Sequence, residues 1–303
     1  MRYLIILLLS LPIVGLSQCC SPGNPVGGST NMGIVPENTL RTISYYRYSF
    51  SDTRYSGSEP VENMMNLKEA DFSFFGSTIS YGLAEKINVE AELGYFLHKT
   101  QYLVDAADKS STKTTSGLSN IVISVKTQLY KHTTNEVEFT ASLGGKIPFS
   151  QEYKMEDDIP LPLDIQPSTM AYGLVAQTFL YKGFIKSGWH LFLINRLETN
   201  GYNVESYRYG NAYYSSLFAA KSINQNWMGI LQLRGEYKQK DNWGEIEMIT
   251  TGGSQLYIAP QINYTIAQKW NLSVLGDFPI YRYLHGNQLA NKYAYSVMLV
   301  RDF

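Results

Sequence analysis

Residues 87 to 99, INVEAELGYFLHK, alternate with a period of two: Ile87, Val89, Ala91, Leu93, Tyr95 and Leu97 fall on one side, and Asn88, Glu90, Glu92, Gly94 and His98 on the other. Successive side chains of an extended chain point to opposite faces, so the pattern predicts a β-strand with one apolar and one polar face. The same pattern recurs along the chain. Leu40, Thr42, Ser44, Tyr46 and Tyr48 alternate with Arg41, Tyr45 and Arg47; Ile121, Ile123, Val125 and Leu129 with Ser124, Lys126 and Gln128. Val137, Phe139, Ala141, Leu143 and Ile147 oppose Glu136, Glu138, Thr140, Ser142 and Lys146, while Trp227, Leu231, Leu233 and Tyr237 oppose Gln232, Arg234, Glu236 and Lys238. Leu256, Ile258, Pro260, Ile262, Tyr264 and Ile266 oppose Gln255, Tyr257, Gln261, Asn263 and Thr265. Segments 69–83, 168–182 and 211–222 are apolar but blur the alternation, and their facing stays open.

Twelve strands are predicted, at 39–50, 69–83, 87–101, 117–131, 135–149, 168–182, 186–198, 211–222, 226–239, 253–267, 270–281 and 290–303. Connections after the even strands are brief, whereas those after the odd strands are long and polar, as in DAADKSSTKTTSG and GSEPVENMMNLKE. Short turns on one rim and long loops on the other, with an even strand number, are the pattern of an outer-membrane barrel. Hydrocarbon explains the closure: each unpaired backbone group there costs several kcal/mol, so a spanning sheet can leave no edge. Segments of this length satisfy the roughly 9–11 residues that a tilted crossing needs. The expected fold is therefore an all-β, transmembrane, antiparallel up-and-down β-barrel of about twelve strands over residues 38–303. Periodicity alone does not exclude a soluble sandwich, whose apolar face would be inside.

The final peptide, YAYSVMLVRDF, favours the barrel. Tyr293, Tyr295, Val297 and Leu299 share a face with Phe303, which would close a lipid-facing strand at the periplasmic rim, where aromatic girdles collect. Arg301 near that rim is tolerable, because a charge costs about 0–1 kcal/mol there against about 2–4 at mid-bilayer. Such a C-terminal strand resembles those read by the outer-membrane barrel assembly machinery, which is an expected partner together with the lipid bilayer.

At the other end, Arg2 precedes a 14-residue apolar run, Tyr3 to Leu16, too short to span a membrane but suited to a secretory signal. Cleavage after Ser17 would leave residues 18–37 as an irregular Gly/Pro-rich lead-in, able to enter the barrel as a plug or to stay disordered. Lipidation at Cys19 is a rival reading, weakened by Gln18 where a small residue normally stands. Cys19 and Cys20 are adjacent, so a bond between them would not staple the fold. Charged residues are only 17% and aromatics 14%, with 24 tyrosines, and a net charge of −1 gives no basic footprint for nucleic acid.

Three stretches, SGLSNIVISVKTQLYK with LGGKIPFS, DIQPSTMAYGLVAQTFLYKGF, and GGSQLYIAPQINYTIAQKWNLSVLGDFPIYRYLHGNQL, resemble the phenol-degradation MetA-pathway family of outer-membrane transporter-like proteins. The likeness covers about the C-terminal two-thirds of the chain. Leu118-Ser119-Asn120 and Pro148-Phe149-Ser150 depart from the Gly-Asp and Pro-Thr-Gly common at those places, changes confined to turns or strand ends. The resemblance implies passage of small, aromatic or apolar compounds, and it carries no catalytic or cofactor residue. No phosphate-binding, dinucleotide, zinc-protease or serine-hydrolase motif occurs, and the histidines at 98, 132, 190 and 285 are scattered. Copper binding by Met64, Met65 and Met155 competes with plain loop packing. Expected to line the lumen are Arg41, Arg47, Glu90, Glu92, His98, Lys126, Glu138, Lys146, Arg234, Glu236 and Lys238, a set of mixed sign. One-sign rings make ion filters, whereas mixed signs brace the wall or line a weakly selective path. A passive channel is thus the leading expectation, with a non-conducting barrel and an outer-membrane hydrolase as alternatives.

Overall fold

The computed structural model describes residues 33–62, 66–105, 108–184, 186–267 and 269–303. Eleven strand segments form a ring: β1 (Leu40–Gly57), β2 (Leu67–Ala84), β3 (Ile87–Val104), β4 (Ile121–His132), β5 (Val137–Ile147), β6 (Gly173–Phe184), β7 (Trp189–Glu198), β8 (Ala212–Ser222), β9 (Trp227–Lys238), β10 (Gly253–Ile266) and β11 (Trp270–Asp302). Each pairs antiparallel with its neighbours, and β11 pairs with β1 to close the sheet. Two further strands of the sheet, Glu59–Val61 and Ser110–Leu118, extend β1 and β3 outside this ring.

Neighbours that alternate up and down can close only with an even number of crossings. The 33-residue β11 resolves this, since its first arm pairs with β10 and its second with β1. The two arms also face each other: the rings of Trp270 and Phe303 lie 6.4 Å apart, and an Arg282 guanidinium nitrogen donates to Asn291 O at 3.0 Å. Gly286, at φ +67°, supplies the reversal that an L side chain would resist. β11 is therefore a hairpin, and the wall has twelve crossings.

Connections of two to four residues lie on one rim and of nine to twenty-five on the other. The predicted sixth strand starts late, at Gly173 instead of residue 168. Pro167 lacks an N–H, and Ser168 and Thr169 bond Asn120 instead of a neighbouring strand, so this stretch folds into the barrel mouth.

Burial identifies which side is wet. Asn88 and Asp277 are 0% exposed, whereas Leu143 is 65% and Leu83 59% exposed. A water-soluble sandwich hides its apolar side chains; this wall hides charges and displays leucine, valine, isoleucine and phenylalanine around its outer surface. Aromatic pairs collect at the short-turn rim, where Trp227 lies 4.5 Å from Tyr264 and the Arg301 guanidinium sits 4.4 Å from the Trp270 ring and 4.2 Å from Phe303. That contact explains how the penultimate charge is accommodated on the outward face.

Candidate functional site

The lumen is filled differently at three heights. Near the short turns, Phe179, Phe192, Ile194, Phe218, Ala220 and Ile230 form a dry cluster on the inner face of β6 to β9. Inward-facing residues of β2 to β4 supply polar partners, with Lys126 Nζ and Ser80 Oγ each 2.7 Å from Glu90 Oε1. Residues 33–37 enter the barrel here. Ile34 N donates to Glu138 Oε1 at 2.8 Å, Val35 is buried, and the Asn88 amide, oriented with its nitrogen toward Val35 O, satisfies both backbone groups of Val35. Gly82 permits this approach, since a Cβ there would meet Pro36 O at 2.0 Å. The rest of the lead-in, including Cys19 and Cys20, lies outside the described residues.

At mid-height Asp277, fully buried, accepts from Arg47 at 2.5 Å and Arg234 at 2.6 Å, and Arg234 also reaches Glu236 at 3.0 Å and stacks 4.4 Å from the Tyr257 ring. A buried carboxylate held by two guanidiniums is compensated on both sides, as burial requires. A second network crosses the lumen, because Arg196 on β7 donates to both oxygens of Glu92 on β3, at 2.7 and 3.0 Å. Arg196 also bonds Glu198 at 2.7 Å, and Lys146 joins Glu198 and Asn200. This bridge divides the upper lumen.

Above it lies a cavity of about 140 Å³, with a second of about 80 Å³ beside Arg47, Arg234 and Tyr257. Tyr45, Phe74, Phe96, Tyr209 and Tyr214 supply aromatic surface to the larger one, and Lys99, Lys146, Arg196, Lys238 and Glu198 supply charge. Its roof is a strap over 161–169 that turns inward from the β5–β6 loop and contains a short helical turn, Leu163–Ile165. Leu161 and Ile165 are buried, and Gln166 ties the strap to Lys154 N, Lys154 O and Leu161 O at 2.9–3.1 Å. Lys99 Nζ donates to Gln166 O at 2.9 Å, and Tyr209 OH to Leu163 O at 3.4 Å. Asp164 is thereby held beneath the strap, where burial pushes its carboxyl up to about 7 against the pull of Lys99, Lys238 and Arg54 and with the help of Asp241.

Of the residues expected in the lumen, Arg41, Arg47, Glu90, Lys126, Lys146 and Arg234 are buried within the barrel wall, and Glu92, Glu138, Glu236 and Lys238 join inward contacts. Arg41 sits at the short-turn rim, paired with Asp302 at 2.7 Å. His98 is the exception. Ser73 pairs with His98 but Phe74 pairs with Phe96, so Leu97 is an extra residue and the facing inverts above it. Lys99 then points inward and His98 outward, beside Asp71, Ser73, Tyr46 and Tyr48. Both Asp71 Oδ1, at 3.4 Å, and Ser73 Oγ, at 3.5 Å, approach the same nitrogen, Nε2. A hydrolytic triad needs acid and nucleophile on opposite ring nitrogens, so this group is a polar knot in the wall.

The other histidines are dispersed: His132 accepts from Asn135 N in a short turn, His190 bonds Tyr181 OH, and His285 packs on Tyr283 at the long-loop rim. Met64 and Met65 lie outside the described residues, and Met155 is exposed in an outer loop. Asp277, Glu198, Lys99 and Asp164 escaped the sequence reading. Asp277 was detectable as the single carboxylate of NLSVLGDFPIY, since an acid deep in a membrane strand almost always faces inward.

The family model described as "Putative MetA-pathway of phenol degradation" matches residues 69–290. Among solved structures, an outer membrane channel from Pseudomonas putida F1 aligns with a TM-score of 0.72 at 11% identity, covering 91% of this chain and 100% of that one. The β domain of the Bordetella autotransporter BrkA gives 0.48 at 8% identity, covering 88% and 100%, and a Pseudomonas aeruginosa FadL homologue gives 0.46 at 8%, covering 87% and 90%. The first of these shares the fold. A search of curated protein sequences found no match to the chain.

Proposed function

Because the chain belongs to the MetA-pathway family of phenol degradation, matched over residues 69–290, we propose that it is an outer-membrane channel for passive passage of small aromatic or apolar molecules. The observation that carries this reading is the lumen. It is closed by an unbroken wall, yet it retains an aromatic-lined cavity of about 140 Å³ beneath the strap over 161–169. Twelve crossings lie between the eight-stranded barrels filled by their own side chains and the sixteen-stranded porins that hold water. The Arg196–Glu92 bridge and residues 33–37 narrow the remaining path, so its conductance is small and its solutes are single small molecules. The long loops would face the cell exterior and the short turns the periplasm. A leader over residues 1–17 and reading of the Phe303 strand by the assembly machinery belong to the same proposal.

The filled lower lumen favours a second reading, a binding barrel that does not conduct. Reconstitution in a planar bilayer separates the two. Discrete, salt-dependent current steps are expected; absence of current above background at every applied voltage rejects the channel.

A further inference from the structure

Asp164 stands apart from every other acid in the lumen. Glu90, Glu92, Glu198 and Asp277 each accept from a lysine or arginine within 3.4 Å. Asp164 is 8% exposed, and among the described residues no group donates a hydrogen bond to either of its carboxylate oxygens. An acid on a free loop would turn to water, but here the strap is pinned on both sides of it, by Leu161 and Gln166, and through Leu163 by Tyr209. A buried acceptor left without a donor is costly, and proteins keep such groups where something else supplies the donor.

The cavity that Asp164 lines defines what could do so. Its volume, about 140 Å³, is close to that of the cavity of about 150 Å³ that takes one benzene in an engineered protein core. Tyr45, Phe74 and Phe96 line one side, tilted against one another, with centroids 5.9 Å apart for Tyr45 and Phe74 and 4.8 Å apart for Phe74 and Phe96. Such faces suit a flat ring. The cations on the cavity wall already have partners: Arg196 and Lys146 hold Glu198, Lys99 holds the strap, and Lys238 lies 3.9 Å from Asp241. They also make the cavity unfavourable for a ligand that is itself a cation.

We propose that this cavity is a binding site for a neutral single-ring compound carrying a hydroxyl or amino hydrogen-bond donor, with Asp164 as the acceptor that separates such compounds from plain hydrocarbons. The assignment rests on the channel reading only for its physiological meaning; the site itself is a matter of binding. A pocket built to accept a hydrogen bond discriminates strongly against an analogue lacking the donor, because the buried acceptor is then left unpaired. A filter of this kind would sit at the outer entrance, before the Arg196–Glu92 bridge.

The test is equilibrium dialysis of the full-length protein in detergent micelles at pH 8, with protein-free micelles as the partition blank. Phenol and aniline are compared with benzene and toluene. Binding of the first pair about tenfold or more tighter than the second is expected. Asp164→Leu should bring the ratio near one by weakening phenol and aniline, with benzene changed less than about twofold. Should that variant not assemble, Asp164→Asn keeps the size while removing the charge, and it should cut the ratio at least threefold. Equal affinities for the two pairs in the unaltered protein, or an unchanged ratio in the variant that folds, overturns the proposal. Bilayer current is read separately: discrimination without current removes the channel alone, and current without discrimination removes this site alone.

Discussion

The two ends of the lumen are built from the same alternating wall and filled on opposite principles. The short-turn end is packed: Phe192, Phe218 and Ile194 are 0–1% exposed, and Glu90, Asn88 and Glu138 are satisfied by Lys126, Ser80 and the backbone of Ile34 and Val35. The outer end keeps a cavity and an acid without a donor. Interiors normally pack to crystal-like density and pair buried polar groups; Thr140 and Gln261 depart from the second rule within the packed end, but only at the cavity does an unpaired acid coincide with open space, and that coincidence marks where function is expected.

The largest predicted effect lies at the boundary between the ends. Asp277→Ala leaves the guanidiniums of Arg47 and Arg234 facing each other in a buried site, and removing one partner from such a cluster costs about 3–5 kcal/mol. Urea titration of the barrel refolded in lipid vesicles measures it. A loss below about 1 kcal/mol would show that water, and not Asp277, compensates these charges. In the packed end, Phe192→Ala removes a ring that stacks on Phe179 and Tyr181, for which truncation costs about 3 kcal/mol. The same measurement should find it, and bilayer current should rise as the lower lumen widens.

In the outer end the sign reverses. Asp164 holds its proton more tightly when folded than when unfolded, so the folded state binds the extra proton and stability falls as pH rises from about 4 to about 7. Asp164→Asn removes that dependence and should stabilise the barrel at pH 8, by at most about 4 kcal/mol and by less if the strap relaxes. At pH 4 the two proteins should unfold at nearly the same urea concentration. Equal stability at both pH values would mean that Asp164 reaches solvent.

How much of this was legible follows from where periodicity applies. The wall was: turn rim, loop rim and crossing number follow from alternation and from the lengths of the connections, because lipid favours a period of two along a crossing. Segments 69–83 and 211–222 blurred because their inner faces are aromatic too, with Phe72, Phe74, Tyr214 and Phe218 buried in the lumen. The site was largely illegible, since Asp164, Gln166 and Tyr209 come from loops brought together by the strap, and no spacing connects residue 99 to residue 166 or 163 to 209. The bulge at Leu97 did leave a trace. Unbroken alternation would have put Lys99 against lipid, a cost that lysine rarely bears deep in a membrane and that an extra residue removes.

That trace supports the smallest and sharpest comparison, between two adjacent residues. Lys99→Met removes the bond to Gln166 O and the contact 4.8 Å above the Phe96 ring, leaving a buried carbonyl of the strap without its donor, for about 1–3 kcal/mol. His98→Ala removes a ring whose side chain is 36% exposed and whose two contacts are long, 3.4 and 3.5 Å; Ser73 keeps Tyr46 OH at 2.9 Å and Asp71 keeps Tyr48 OH at 3.2 Å. Its cost should stay within about 0.5 kcal/mol, as for surface positions generally, and it should leave phenol binding unchanged. A His98 effect larger than that of Lys99 would place His98 in the lumen and Lys99 against lipid, the facing of a strand without the extra residue.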